Sequence, residues 1–424
     1  MPEFFLHYIW QRRIFLQLPQ FTTDGRRVDV LDTGRRNTDA GPDFFSSIVC
    51  IDGVVWTGNV EIHVNSSDWY RHGHNTDPAY DNVVLHVVRK ADKPVFNSRG
   101  EPVPQCELQY PYEPVFLDRM LSDNEALCGF RLQNNPSVMT AGWLSCLTVE
   151  RLKRKTGAIN VLLSLSHNNW EEAFYITLAH NFGFHTNGLP FEMLAKHTPL
   201  SFLLKHRNSL FQLEAMLLGQ SGLLNENTAV DDYSRRLLKE YLFLQKKFAL
   251  TPLQPGMWKM MRMRPQSFPH MRIAQFAALI HHREMLLQAC LETDSLTGLR
   301  NLLQVEVSEY WRSHYRFADS AAKGSGCMGK AAADVLVINT VVPYKYAWGV
   351  AHNDSGLINK ALQLLDDMPA ENNNIIRQWR QLGVVPANAA QSQALLQLHQ
   401  EYCIRKRCAD CNVGYQIFTP QNNE

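Results

Sequence analysis

The stretch FFSSIVCIDGVVWTGNVEIHV, residues 44–64, decides how the first part of this chain folds. Two runs rich in β-branched and aromatic residues flank Asp52-Gly53, a dipeptide that tolerates positive φ and closes a two-residue hairpin with the twist the strands need. Side chains alternate along the second run, so Val60, Ile62 and Val64 point one way and Glu61 and His63 the other. A strict two-residue turn sets Ile51 against Val54, and paired residue numbers then add to 105. Asp43 would fall on the face away from Glu61 and His63. One bulge, marked by a glycine inside the strand at Gly58, moves the sum to 106 and sets Asp43 across from His63. A site containing both acids therefore requires an irregular hairpin.

Working outward, polar groups keep accumulating: Gly41-Pro42-Asp43 before the first strand, then His72-Gly73-His74, Asp77, Asp81 and His86 after the second. Four of the 16 histidines fall between residues 63 and 86. Carboxylates and imidazoles brought to one place supply the oxygen and nitrogen donors that replace a divalent cation's water shell. On the residues alone, Asp43, Glu61 and His86 form one ligand set for Mg²⁺ or Mn²⁺, with Asp43, Glu61 and His63 as the catalytic group. A second ligand set takes His63, His72, His74 and His86. A third reading has no site: a Glu and a His on the solvated face of an amphipathic strand, and Pro-Asp as a turn dipeptide.

The rest of residues 1–112 reads as a mixed α/β head. Apolar residues at Phe4, Phe5, Tyr8, Ile9 and Phe15 predict a helix over 3–18, ended by Pro19, and further strands are predicted at 27–31 and 82–88. Prolines at 94, 102, 104, 111 and 114 mark 93–114 as a connector. Residues 113–424 form a mainly helical body with a C-terminal cysteine cluster. Three- and four-residue apolar spacing predicts helices at 141–165, 169–181, 190–196, 201–218, 231–248, 272–292, 299–313, 355–367, 373–382 and 389–402. Residues 335–338 are strand-like or buried helix. The expected fold class is α+β. In 424 residues, 42 Lys+Arg balance 41 Asp+Glu, and 45% of residues are hydrophobic, so the chain is globular and not a globally basic nucleic-acid binder. No run approaches the ~18–20 apolar residues of a membrane span. The N-terminus carries no secretion signal, and scattered cysteines are typical of a reducing compartment, so a cytoplasmic location without membrane association is expected.

Three further motifs carry weight. Cys403, Cys408 and Cys411, with His399 one turn upstream, offer thiolates for a structural Zn²⁺ or an iron–sulfur cluster, or are three reduced thiols near a terminus. Residues 235–272 hold nine Lys/Arg and one acid, Glu240. There Lys259, Arg262 and Arg264 are candidate phosphate contacts for a nucleic-acid partner, or part of a solvated face answered by acids elsewhere. The run from Gly324 to Lys330 nearly spells a P-loop, but Ala331 replaces the metal-binding hydroxyl and no strand precedes it, so it is read as a loop.

The order Pro42-Asp43, then a strand carrying Glu61-x-His63, resembles the PD-(D/E)xK phosphodiesterase superfamily. The resemblance implies metal-dependent phosphodiester hydrolysis, with Asp43 and Glu61 on the metal and His63 in the position of the superfamily's lysine. Some nucleases of that superfamily also carry iron–sulfur staples, with other cysteine spacings. Across nearly the whole length, Gly41-Pro-Asp-Phe, Gly58-Asn-Val-Glu-Ile-His-Val, Asp68-Trp69…His72…His74, Leu85-His-Val-Val88, Gly183-Phe…Asn187, Arg262-x-Arg-Pro265…Phe268-Pro269, Ile338-Asn-Thr-Val and the cysteine triplet resemble the bacterial family of unknown function 2851, which implies no activity or substrate. The function expected is a metal-dependent phosphodiesterase or nuclease; the alternative is a non-enzymatic scaffold with a structural metal.

Overall fold

A computed structural model describes residues 3–11, 13, 15, 18–37, 40–110, 139–320, 326–405, 407 and 410–414. The chain forms two compact units: residues 1–139 with 382–384 and 398–424, and residues 140–381 with 385–397. The class is α+β.

In the first unit, α1 (Glu3–Gln11) is followed by strands β1 (Gln20–Phe21), β2 (Arg27–Asp32), β3 (Arg35–Arg36), β4 (Phe44–Ile51), β5 (Val54–Asn65), β6 (Val83–Lys90) and β7 (Gln105–Glu107). They build one seven-stranded sheet in the order β1-β2-β4-β5-β6-β7, with β3 also on β4. The meander through β5 is antiparallel; β5, β6 and β7 are parallel, which needs a crossover after β5. That crossover contains α2 (Asp68–Arg71) and a short 3₁₀ turn at Pro78–Tyr80. α1 packs on β5, and Phe5, Leu6, Ile9 and Trp10 are buried together with Val60, Ile62, Leu85 and Val87. A smaller cluster, Trp69, Tyr80, Val83, Val95 and Val103, forms with the crossover and the segment after β6. That segment, read from its prolines as a connector, instead returns to the sheet: Val103 N donates to Val95 O, and β7 pairs with β6.

The hairpin is irregular, though not where the sequence marked it. Asp52 and Gly53 take φ of +51° and +84° and make the strict two-residue turn. Partners add to 105 from Ile51/Val54 to Ser47/Gly58, then to 104 at Phe44/Val60. The extra residue lies in β4, where Ser46 adopts φ +55° and its N–H is taken by Asn59 Oδ1. The shift thus runs opposite to the expected one and places Asp43 beside Glu61 rather than His63. Gly58 serves another purpose: a Cβ there would lie 2.3 Å from Val84 Cγ1 and 2.7 Å from Asn82 O. It admits the offset start of β6, where Val84 is skipped between the Asn59/Val83 and Val60/Leu85 partners.

The second unit is helical around one core. Ala141–Leu165 runs uninterrupted, capped by Thr140 accepting from Trp143 N. Asp232–Phe248 opens with an Asp231/Ser234 capping box. Pro269–His282 is buried from Pro269 to Ile280. Two predicted helices are each divided: 201–218 becomes Leu200–Leu204 and Leu210–Gln220, re-initiated by the Ser209 cap, and 272–292 becomes Pro269–His282 and Leu286–Glu292, broken at Met285 with φ +45°. The segment predicted helical at 299–313 is helical only as Leu296–Leu303, followed by a 3₁₀ turn at Tyr310–Arg312. Residues 335–338 are helical: they join Lys330–Leu336 to the π-helical Val337–Val341, where burial of Leu336, Val337 and Ile338 overrides β propensity. No helix among the described residues is long and apolar enough to cross a membrane.

Candidate metal centre

β5 presents Glu61 and His63 on one face, and both are buried, 5% and 1% exposed. The crossover then turns back over them. Asp68 accepts from Asn65 N and opens α2, and Gly73, at φ +78°, separates His72 from His74. His74 is stacked on Tyr80, with ring centroids 3.7 Å apart, and lies over His63. β6, parallel to β5, brings His86 beneath His63.

Three imidazole donors converge, and a carboxylate lies against two of them. His63 Nε2 lies 3.1 Å from His72 Nδ1 and 3.5 Å from Glu61 Oε1, and His74 Nε2 lies 3.2 Å from the same carboxylate oxygen. The ligand atoms of His63, His72 and His74 all lie within 4.8 Å of one another. Tetrahedral coordination with bonds of about 2.0–2.1 Å places its donors roughly 3.3–3.4 Å apart, so the three measured edges match a shell around one ion. His74 Nε2 is buried without a hydrogen-bond partner despite the nearby carboxylate: distance without alignment, as donors aimed at a common centre would show. His72 alone is exposed.

The groups behind these donors hold them in place. His63 Nδ1 is 2.9 Å from His86 Nε2, a contact that takes one proton. If His63 Nε2 faces an ion, His63 Nδ1 carries the hydrogen and donates it to His86. Asp43 N donates to Glu61 Oε2 at 3.0 Å, while Asp43 Oδ2 accepts from Ile62 N at 2.9 Å and meets His7 Nε2 at 3.0 Å. Asp43 thus steadies Glu61 through its backbone and binds His7 through its side chain. Burial, reinforced by His86, pushes His63 down to about 2, and burial pushes His86 down to about 3. His74 is lowered by burial. Glu61 is raised, first by burial and then by the charge of Asp43. The buried imidazoles of His63, His74 and His86 therefore stay neutral, whereas Glu61 is held toward its protonated form and would release that proton on binding a cation.

Of the residues singled out in the sequence, Glu61, His63, His72 and His74 supply these donors, and His86 and Asp43 stand one contact behind. His7 was not anticipated: it sits 36 positions before Asp43 on a helix whose pattern reads as core. Lys259, Arg262 and Arg264 are exposed, and among the described residues none forms an ion pair. Their loop is held by Asn187, which accepts from Lys259 N and donates to Lys259 O. Cys403 is half-buried and Cys411 buried; Cys408 lies outside the described residues, as does Gly324 of the P-loop-like run. Among the described residues the three histidines are the group able to hold a metal.

The family model described as a protein of unknown function (DUF2851) matches residues 3–374. No curated protein and no solved structure matches the chain.

Proposed function

We propose that this chain, which belongs to the family of unknown function 2851, is a metal-dependent phosphodiesterase acting on nucleic acid. The observation that carries the reading is the convergence of His63, His72 and His74, with Glu61 against His63 and His74. Three imidazoles and one carboxylate suit Zn²⁺ or a similar transition ion better than Mg²⁺, which prefers oxygen. When bound, such an ion supplies a polarised phosphoryl oxygen and a water of lowered pKa. The protein's own groups do the rest. Glu61, His63 and His74, in the buried wall, and His72, exposed and next to Gly73, would hold the ion, with His72 the donor on the open side. His86 fixes the tautomer of His63. The His7–Asp43 pair is placed to take and return a proton, with Asp43 orienting the imidazole. Lys259, Arg262 and Arg264 provide exposed, unpaired cations for phosphates. Free thiols at Cys50, Cys106, Cys146, Cys290 and Cys411 support a reducing, cytoplasmic setting.

One observation favours a second reading. With Glu61 joining His63, His72 and His74, four protein donors would complete a tetrahedral shell, and closed shells are structural rather than catalytic. In that reading the head is an interaction module, and the Cys403, Cys408 and Cys411 cluster would hold a second Zn²⁺ or an iron–sulfur group. Metal analysis of purified protein, followed by cleavage of labelled DNA and RNA by wild type and Glu61→Ala, separates the two. Cleavage lost in the variant supports the enzyme. Metal-loaded wild type that cuts neither polymer leaves the structural reading standing.

A further inference from the structure

The helical unit contains a second chemical centre, independent of the metal site. A cavity of 590 Å³, within the roughly 300–1,000 Å³ of small-molecule sites, opens between helices Ala141–Leu165 and Trp170–Phe182. Its wall is largely apolar, with Ile159, Leu162, Leu165 and Ile176, and Leu165 is 71% exposed at the rim. At one end Lys155 donates from Nζ to a neutral acceptor, Asn339 Oδ1, at 2.8 Å, and among the described residues it has no carboxylate partner. Asn339 is presented by the π-helical Val337–Val341, whose displaced carbonyl at Asn339 is answered by Asn181 Nδ2, which also donates to Thr340 Oγ1. Single-turn π segments are locally unfavourable and recur at functional sites. Here the segment sets an amide beside an ammonium.

An ammonium in the wall of an apolar cavity, with no counter-ion among the described residues, is half of a recognition site. We propose that the cavity binds an amphiphilic monocarboxylate, its aliphatic tail on Ile159, Leu162, Leu165 and Ile176 and its carboxylate on Lys155 Nζ. Thr177 and Asn181 also line the cavity, but their donors are engaged, Thr177 Oγ1 by Ala173 O and Asn181 Nδ2 by Thr177 O, Asn339 O and Thr340 Oγ1, so Lys155 Nζ is the donor for the carboxylate. The charged groups around Lys155 are consistent with an anion. Arg151 and Arg154 share its helix, and Glu371 acts on it from a distance while accepting from Gln393 and Ser392. At the rim Glu192 is already engaged by both His180 and Lys196, at 2.9 and 2.6 Å. Burial, with Arg151, pulls Lys155 down to about 7, so the free amine is partly neutral at physiological pH and a bound carboxylate recharges it.

The test is calorimetric titration of the full chain with hexanoate, octanoate and decanoate, and with decanol as the uncharged tail, at pH 6.5, 7.5 and 8.5 in two buffers of different ionisation enthalpy. The expected result is one site per chain, affinity rising about threefold to fourfold per methylene, proton uptake on binding near pH 7, and affinity falling toward tenfold per pH unit above it. Decanol should bind at least tenfold more weakly. Lys155→Met should bring decanoate to the level of the alcohol and abolish proton uptake, while Lys155→Arg should keep binding at pH 8.5. Absence of decanoate binding, binding without proton uptake, or a folded Lys155→Met variant that binds like wild type would each overturn the proposal. The wild-type pH series decides the matter even if the methionine variant does not fold.

Discussion

Adding Zn²⁺ to metal-free protein should raise the unfolding temperature of the head, and the size of the rise follows from the site. The three measured donor–donor edges are 3.1, 3.2 and 3.5 Å, against about 3.3–3.4 Å for a regular shell. Along these edges the site needs adjustments of only a few tenths of an ångström, and His72 has to close toward Glu61 to complete a four-donor shell. A ligand at a thousand times its Kd stabilises by about 4 kcal/mol. For a unit of roughly 150–250 residues each kcal/mol is worth about 2–4 °C, so the expected shift is about 8–16 °C. Scanning calorimetry against a metal series measures it, and X-ray absorption should show one oxygen and three nitrogen ligands. Glu61→Gln keeps the shape and removes the charge, so it should weaken Zn²⁺ by more than the roughly 10–100-fold typical of an orienting partner, whereas His86→Gln should fall within that range. If Zn²⁺ leaves the transition where it was, or if Glu61→Gln and His74→Ala respond as wild type does, the four groups are packed together for some other reason.

Four other perturbations have definite outcomes. Asp43→Asn leaves the backbone N–H that holds Glu61 and should retain metal while hydrolysis drops by about 10²–10⁴-fold, read by metal content beside cleavage rate; equal activity would remove the His7–Asp43 pair from the chemistry. Gly58→Ala forces a methyl against Val84 and Asn82 and should cost about 1–3 kcal/mol in urea titrations, with weaker metal binding; an unchanged midpoint would show that the β5–β6 register does not depend on this approach. Burial raises Glu214 to about 7 from an ordinary 4.5, so its contribution to stability is complete below pH 4.5 and is lost as the pH rises to 7, by about 3 kcal/mol. The stability of Glu214→Gln relative to wild type should therefore improve across that window, and a difference constant from pH 4.5 to 8 would contradict it. Arg262→Ala should lower the slope of log K against log salt for nucleic-acid binding by about 1, and a flat salt dependence in wild type would reject the phosphate interface.

The local pattern was informative wherever a short-range rule was sufficient. Alternation and Asp52-Gly53 defined β4 as Phe44–Ile51 and began β5 at Val54, because turn chemistry and a period of two are properties of neighbouring residues. Apolar spacing likewise located Ala141–Leu165 and Ser355–Asp367. It did not locate the break before Ser209 or at Met285, although polar runs stand at both, Lys205-His206-Arg207-Asn208 and His281-His282-Arg283-Glu284, because apolar helical spacing resumes beyond each. The β-branched run at 335–338 was ambiguous for another reason: a short, continuous apolar run shows no period.

The sequence by itself determined that Glu61 and His63 share a face and that imidazoles crowd the next two dozen residues; both follow from the pleat and from counting. Tertiary structure alone decided which of them meet. Ser46 bears no mark of a bulge, yet the one residue it inserts carries Asp43 to Glu61. The crossover folds His72 and His74 back over β5, and an offset parallel register puts His86 behind His63. A donor set is a matter of ångströms between residues far apart along the chain, and those distances are set by the register and closure of the whole sheet.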